Sequence, residues 1–248
     1  MSINHIDFIK NYWNDEAENY YNDHPEHLDK TLHPSWGLFH VPEEKLRLVI
    51  DDNINEGTNI LEIGCGIGHD AVAYASLGAN VFGLDISTNQ LKNSIPHKNV
   101  KYINCSAENT PFKNSYFDII ICDHGAFDHS PPSIILKECS RILKKGGSLV
   151  ICTYSPLAKS CYNQKSGMIE PFLNNEYPKN TIKFDKKITN VSYNYEGWIS
   201  EFLISGFDII SLKELTIPED MKNFYDQQVY SEWAEKWPLE IIWKLRLK

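Results

Sequence analysis

The stretch Asn59–Ala71, NILEIGCGIGHDA, limits the folds open to this chain more than any other. An apolar run closes on an acid, Glu62, and is followed by Gly64, Gly66 and Gly68 at every second position. Apolar run, glycine turn and small-residue helix in that order predict a strand, a tight turn and a helix N-terminus. Glycine lets the backbone turn with φ > 0 and leaves no Cβ between the main chain and a ligand. Such a turn is shaped for close approach.

The pattern around it is regular. Strands are predicted near 58–63, 80–85, 100–104, 117–122 and 147–152, and helices near 68–77, 87–95 and 131–144. The last helix opens on Pro131-Pro132 and ends before Gly146-Gly147, proline in and glycine out. Short apolar strands alternating with helices predict a parallel α/β sheet with helices on both faces. Upstream, Ile3, Ile6, Ile9, Trp13, Ala17 and Tyr20 recur at spacings of three and four, an amphipathic helix over about 3–23. A loop rich in His, Pro and aromatics follows, and Pro42 opens a predicted second helix, PEEKLRLVIDD, over 42–52. Beyond 152 the regularity breaks. Residues 153–194 read as an irregular insertion, followed by a helix at 195–205, a strand at 207–217, a polar-aromatic stretch at 218–238 and a closing strand at 239–247. No linker interrupts the chain, so one domain is expected over 1–248, with its regular core at 58–152.

Composition narrows the partners. The 248 residues carry a net charge of −9. That argues against broad, charge-driven nucleic-acid binding, which needs phosphate-neutralising Lys and Arg. The N-terminus lacks the basic and apolar regions of a signal peptide, and no run reaches the roughly 18 apolar residues of a membrane span. The six cysteines contain no C-x-x-C pair. A reducing, cytoplasmic setting is expected, with neither a disulfide framework nor a metal site.

The spacing of the glycines separates two cofactor classes. A dinucleotide fold wants G-x-G-x-x-G. Here the third glycine comes one residue early, and His69 holds the usual third-glycine position. The segment resembles instead the E-x-G-x-G-x-G motif of class I S-adenosylmethionine (SAM)-dependent methyltransferases. Four later segments extend the resemblance: Asp85 ending VFGLD, Ser106-Ala107-Glu108 ahead of Thr110-Pro111-Phe112, Phe117–Asp123 with His124, and Arg141–Val150 with its Gly146-Gly147. The resemblance implies a Rossmann-like, mostly parallel seven-stranded sheet ending in an antiparallel hairpin, with residues 1–57 as a helical lid. It implies SAM as cofactor and S-adenosylhomocysteine as product. By it, Gly64, Cys65 and Gly66 approach the methionine part, and Glu62 orders that loop or the methionine amino group. Asp85 binds ribose, Ile86 flanks the adenine, Ser106, Ala107 and Glu108 edge it, and Asp123 opens the loop where cofactor and acceptor meet. Tyr20 and Trp36 are candidates to close the lid.

The acceptor side is less defined. Asp123–His129, DHGAFDH, puts two His and two Asp at the mouth of the fourth strand, so His124 and His129 are candidate general bases. His33 and His40, flanking Trp36, are further candidates. The expected activity is methyl transfer to an O or N atom of a small molecule, without membrane or nucleic-acid partners. An RNA-modifying methyltransferase and a SAM-binding module without catalysis are the alternatives.

Overall fold

The computed structural model describes residues 5–23, 32–184, 189–218 and 233–248. Its centre is a seven-stranded sheet of β1 (Asn59–Ile63), β2 (Asn80–Asp85), β3 (Val100–Asn104), β4 (Phe117–Asp123), β5 (Leu143–Tyr154), β6 (Phe207–Leu215) and β7 (Glu240–Leu247). The order across the sheet is β6-β7-β5-β4-β1-β2-β3. Strands β1 to β5 pair in parallel, and β7 runs antiparallel to both β5 and β6. The expected α/β architecture with a terminal antiparallel hairpin is therefore present.

The central strands are apolar on both faces because helices cover both. Successive side chains alternate between faces. Ile119, Ile121, Val150 and Cys152 join Trp36, Phe39, Tyr74 and Ala75 in one core layer. Ile120, Leu149 and Ile151 join Leu136, Trp198, Phe202 and Trp243 in the other. The helices are α1 (His5–Asp23), α2 (Glu43–Leu46), α3 (His69–Ser76), α4 (Thr88–Lys92), α5 (Pro132–Ile142), α6 (Pro156–Cys161) and α7 (Tyr195–Ile204). Side chains of Ser87, Ser155 and Asn194 cap α4, α6 and α7 by accepting a backbone N–H.

Three expectations change. The helix predicted over 42–52 stops after Leu46, and Arg47 turns left-handed at φ 54°. The cause is Glu43, a fully buried acid. Its carboxylate accepts from the Trp36 indole at 2.5 Å, the Val49 N–H at 2.5 Å and the Ile50 N–H at 2.9 Å. Those donors point at one carboxylate only if the helix breaks. The helix predicted to reach 144 ends at Ile142, because Leu143 is already extended and starts β5. The insertion after β5 holds α6 and two antiparallel ladders, Tyr162–Asn163 with Met168–Ile169 and Thr181–Phe184 with Thr189–Ser192. Most of the stretch expected to be irregular at 218–238 lies outside the described residues.

Candidate active site

Strand β1 pairs with β2 on one side and β4 on the other, so the chain crosses over at this point of the sheet. Ligands of open α/β sheets bind at the carboxyl ends of the strands at such a switch point. The glycine turn sits there. Gly64, Gly66 and Gly68 have φ of 73°, 53° and 83°. The N–H groups of Gly64 and Cys65 donate to Leu84 O at 2.7 and 3.0 Å, which fixes the turn to the end of β2. A Cβ on Gly64 would lie 2.8 Å from Gly125 Cα, so glycine here lets the loops after β1 and β4 touch. Asp85 accepts from Gly66 N–H at 2.8 Å and Ser87 N–H at 2.7 Å. Burial pushes its carboxyl up, and these N–H groups pull it back.

Past β3, Ser106 Oγ accepts from Glu108 N–H at 3.2 Å, and Ala107 is buried beside it. Ile86 is half-buried, and its carbonyl accepts from Asn104. The sequence thus brings Gly64–Gly66, Asp85, Ile86 and Ser106–Glu108 to one edge of the sheet. Helix α1 roofs them. His5 pairs with Glu108 at 2.7 Å. Asn14 Oδ1 accepts from Ser87 Oγ at 2.9 Å and Asn89 N–H at 3.2 Å, and Trp13 meets His129 edge to face at 5.4 Å. The helix therefore spans from the loop after β3, across α4, to the loop after β4. Tyr20 belongs to the same helix, but its side chain lies outside the described residues.

The other end of the cleft is acidic. Glu62, Asp70 on the first turn of α3 and Asp123 at the end of β4 gather there. Glu62 is 7% exposed, and its Oε2 has no hydrogen-bond partner among the described residues; the same holds for Asp123 Oδ1 and for Gln90 Oε1 beside Gly66. Burial first, then the charge of Asp70, raises the Glu62 carboxyl well above its ordinary value. Burial and the charge of Asp123 push Asp70 up to about 8. A hairpin, Ser35–Trp36 paired with Val41–Pro42, closes this end. Gly37 N–H donates to Asp123 at 2.7 Å, Ser35 N–H to Asp70 at 3.4 Å and Leu38 N–H to Glu240 at 2.9 Å. Trp36, only 1% exposed and tied to Glu43, is a fixed wall rather than a moving lid.

His124, in a left-handed conformation at φ 48°, stands between two carboxylates. Its Nε2 contacts Glu240, and its Nδ1 lies 3.2 Å from Asp128. Burial alone would lower its pKa, but Glu240 and Asp128 raise it well above the ordinary value. Both ring nitrogens of this candidate base therefore face carboxylates. Asp128 also accepts from Thr153 Oγ1 at 2.5 Å, with Lys159 at 3.6 Å. Among the described residues, Asp123, His124 and Cys152 bring potential metal-binding atoms within 4.8 Å of one another. Burial and the charges of Asp123 and Glu240 hold the Cys152 thiol well above its usual range. With His124 also committed, the three offer a poor metal set.

Asp70, Glu43 and Glu240 were missed in the sequence. Asp70 stood in view directly after the glycine turn; Glu240 is the lone acid opening an apolar strand, a pattern that signals a buried, partnered carboxylate.

Topology and glycine turn together define the class I methyltransferase fold. Residues 61–151 match the sequence model of the family described as a methyltransferase domain, so this segment is a methyltransferase domain of that superfamily. A demethylmenaquinone methyltransferase of Clavibacter sepedonicus is 30% identical over 125 residues, 47% of this chain and 51% of its own. A ubiquinone biosynthesis O-methyltransferase of Thiobacillus denitrificans is 35% identical over 111 residues, 42% of this chain and 47% of its own. The chain thus spans about half the length of these curated relatives. The crystal structure of a SAM-dependent methyltransferase from Mesorhizobium loti superposes with a TM-score of 0.66 at 17% identity, covering 82% of this chain and 96% of that one, a likeness of fold.

Proposed function

We propose that this chain is a SAM-dependent methyltransferase acting on an O or N atom of a small molecule. One observation carries the reading. Three of the buried oxygens without partners among the described residues, on Glu62, Gln90 and Asp123, lie around the glycine turn, at the switch point of a methyltransferase domain. Buried polar groups are hydrogen-bonded as a rule, so this set calls for a ligand rich in donors. SAM fits. Its ammonium would meet the acids, its ribose hydroxyls would reach Asp85 and its adenine would lie between Ile86 and Ala107.

The cofactor, when bound, supplies a methyl group already activated on a sulfonium. What remains for the protein is to position, enclose and, for a protonated acceptor, remove a proton. Gly64 and Gly66 let the backbone pass close to the methionine part. Helix α1 and the Ser35–Pro42 hairpin exclude water. His124, clamped by Glu240 and Asp128, orders the loop from Asp123 to His129. His129, under Trp13, would take an acceptor proton. A small acceptor is favoured by this roof, by the net charge of −9 and by curated relatives named for quinone methylation.

Calorimetry with S-adenosylhomocysteine, followed by transfer of labelled methyl from SAM to panels of phenols, quinols and amines, tests the reading. Binding and transfer to a small acceptor are expected. Binding without turnover on any acceptor would favour a non-catalytic module, salt-sensitive methylation of bulk tRNA would favour the RNA enzyme, and absence of binding would refute the cofactor.

A further inference from the structure

Strand β6 is an outer edge of the sheet, paired with β7 on one side and, among the described residues, with no strand on the other. Open edges pair with other chains unless something blunts them. Helix α7 lies along this edge. Tyr195 OH donates to Glu214 of β6 at 2.7 Å, and Ile199 and Leu203 follow Tyr195 at steps of four, so the three share one stripe. Ile199 and Leu203 are 37% and 51% exposed, and Ile210 and Leu212 on β6 are 51% and 38% exposed. Leu212 is on the α7 side of the sheet, because its register partner Trp243 meets Phe202 of α7 edge to face at 5.2 Å. An apolar strip from helix and strand thus runs along the edge. It stands four strands away from β1 and the glycine turn.

The charges of β6 say what covers the strip. Phe207 and Ile209 pack in the layer beneath α7, which turns Asp208 to the opposite face. The strand bulges at Ile210, since Ile209 pairs with Leu245 but Ser211 with Lys244. Beyond the bulge the phase has changed: Leu212 faces α7, and Lys213, opposite Ile242 of the other core layer, shares the face of Asp208. When a strand pairs with its own copy about a two-fold axis, residues directly opposite each other share a face. A register with Asp208 opposite Lys213 satisfies this. It sets Ile209 against Leu212, brings the two bulges together at the axis and places one opposite-charge pair on each side of it. A slip of one residue either way sets Asp208 against Leu212 or against Glu214, a like charge. A bulge and a lysine protect an edge from arbitrary strands; a second copy of this chain accommodates both. We infer that β6 and the Ile199–Leu203 stripe form the interface of a homodimer, two copies joined edge to edge about a two-fold axis. Residues 207–214 with Ile199 and Leu203 give about ten residues a side, against roughly 20–30 in a standard interface, so the dimer is reversible, with a micromolar Kd. Both clefts stay open, because the shared edge is on the far side of the sheet from β2 and β3.

Sedimentation equilibrium of the full chain from about 1 to about 200 μM should show the mass rising from 28.6 kDa toward twice that value. Lys213→Asp sets like charges opposite each other on both sides of the axis and should weaken the dimer about tenfold or more. Asp208→Lys should do the same; its exposed pair with Lys248, at 3.2 Å, contributes little to the monomer. The two substitutions together exchange the charges and should restore the dimer, which a mere loss of fold would not do. Leu212→Glu should weaken it as well. All three positions are exposed, so each variant should keep the Tm of the unmodified chain to within a few degrees. A chain that stays monomeric at about 200 μM would overturn the inference. So would a dimer that Lys213→Asp and Leu212→Glu leave intact, since it would use another face. Failure of the double substitution to restore association would refute the register, and with it the two-fold pairing of β6.

Discussion

Replacing Glu240 by Gln tests whether a buried ion triad sets the floor of the cleft. The carboxylate is fully buried, accepts from Leu38 N–H at 2.9 Å and contacts His124 Nε2. Glutamine keeps the shape and can still accept from Leu38, but it leaves the imidazolium with Asp128 alone, at 3.2 Å. Breaking a buried pair by removing one partner costs about 3–5 kcal/mol. Because the second carboxylate remains, the expected loss lies near the lower end, about 3 kcal/mol. In a chain of this size that lowers Tm by about 6–12 °C. The pH dependence has a definite sign. His124 is raised above its unfolded value, so its contribution is complete below about pH 6.5 and is lost as pH rises through the folded value. The gap between the two proteins should therefore be widest near pH 6 and should narrow, not widen, as pH rises. Urea unfolding at fixed ionic strength across that range measures it. A loss under about 0.5 kcal/mol, typical of surface substitutions, or a gap that widens with pH, would show that the triad is not charged as described.

Three further changes probe the proposed cofactor site. Asp85→Ala should weaken S-adenosylhomocysteine about 10- to 100-fold by calorimetry, the worth of a hydrogen bond to a charged acceptor; unchanged affinity would sink the ribose assignment. Gly64→Ala combines a left-handed backbone, about 1–2 kcal/mol for a non-glycine residue, with a 2.8 Å approach to Gly125 Cα. It should lower Tm and weaken the ligand together. Asn14→Ala removes the side-chain oxygen that docks α1 on Ser87 and Asn89, at about 1 kcal/mol per bond; stopped-flow release of S-adenosylhomocysteine should quicken several-fold, with a fall in Tm of no more than about 4–8 °C.

The sheet was legible because its information is local. Each parallel strand is a short apolar run with turn residues at its end, and β2 and β3 were predicted with the bounds they have. The motif residues share an edge for the same reason: a motif fixed to the end of a parallel strand is fixed to one side of the sheet. What escaped was set by partners far along the chain. Helix α2 could not be bounded from its own composition, since Glu43 breaks it by drawing in Trp36, Val49 and Ile50. The contact of His124 with Glu240, 116 residues away, is invisible from the loop. Asp70 sat in the most closely read segment, yet only the fold brings Asp123 and Ser35 against it.

These misses share a physical origin. The hairpin at 35–42 has a ladder of only two residue pairs, with Trp36, Phe39 and Val41 packed in the core. Its remaining N–H groups are fastened by carboxylates from α3, β4 and β7, the elements that also shape the cleft. A wall fastened in this way couples enclosure to charge. A cation entering the cleft favours ionised Asp70 and Asp123, and an ionised carboxylate is the stronger acceptor for the hairpin N–H groups. Ligand binding and closure of this wall should therefore reinforce each other, and amide exchange at Gly37 should slow more with S-adenosylhomocysteine than with 5′-methylthioadenosine, which lacks the amino-acid end. Equal protection by the two ligands would mean that the adenosine part alone seals the site.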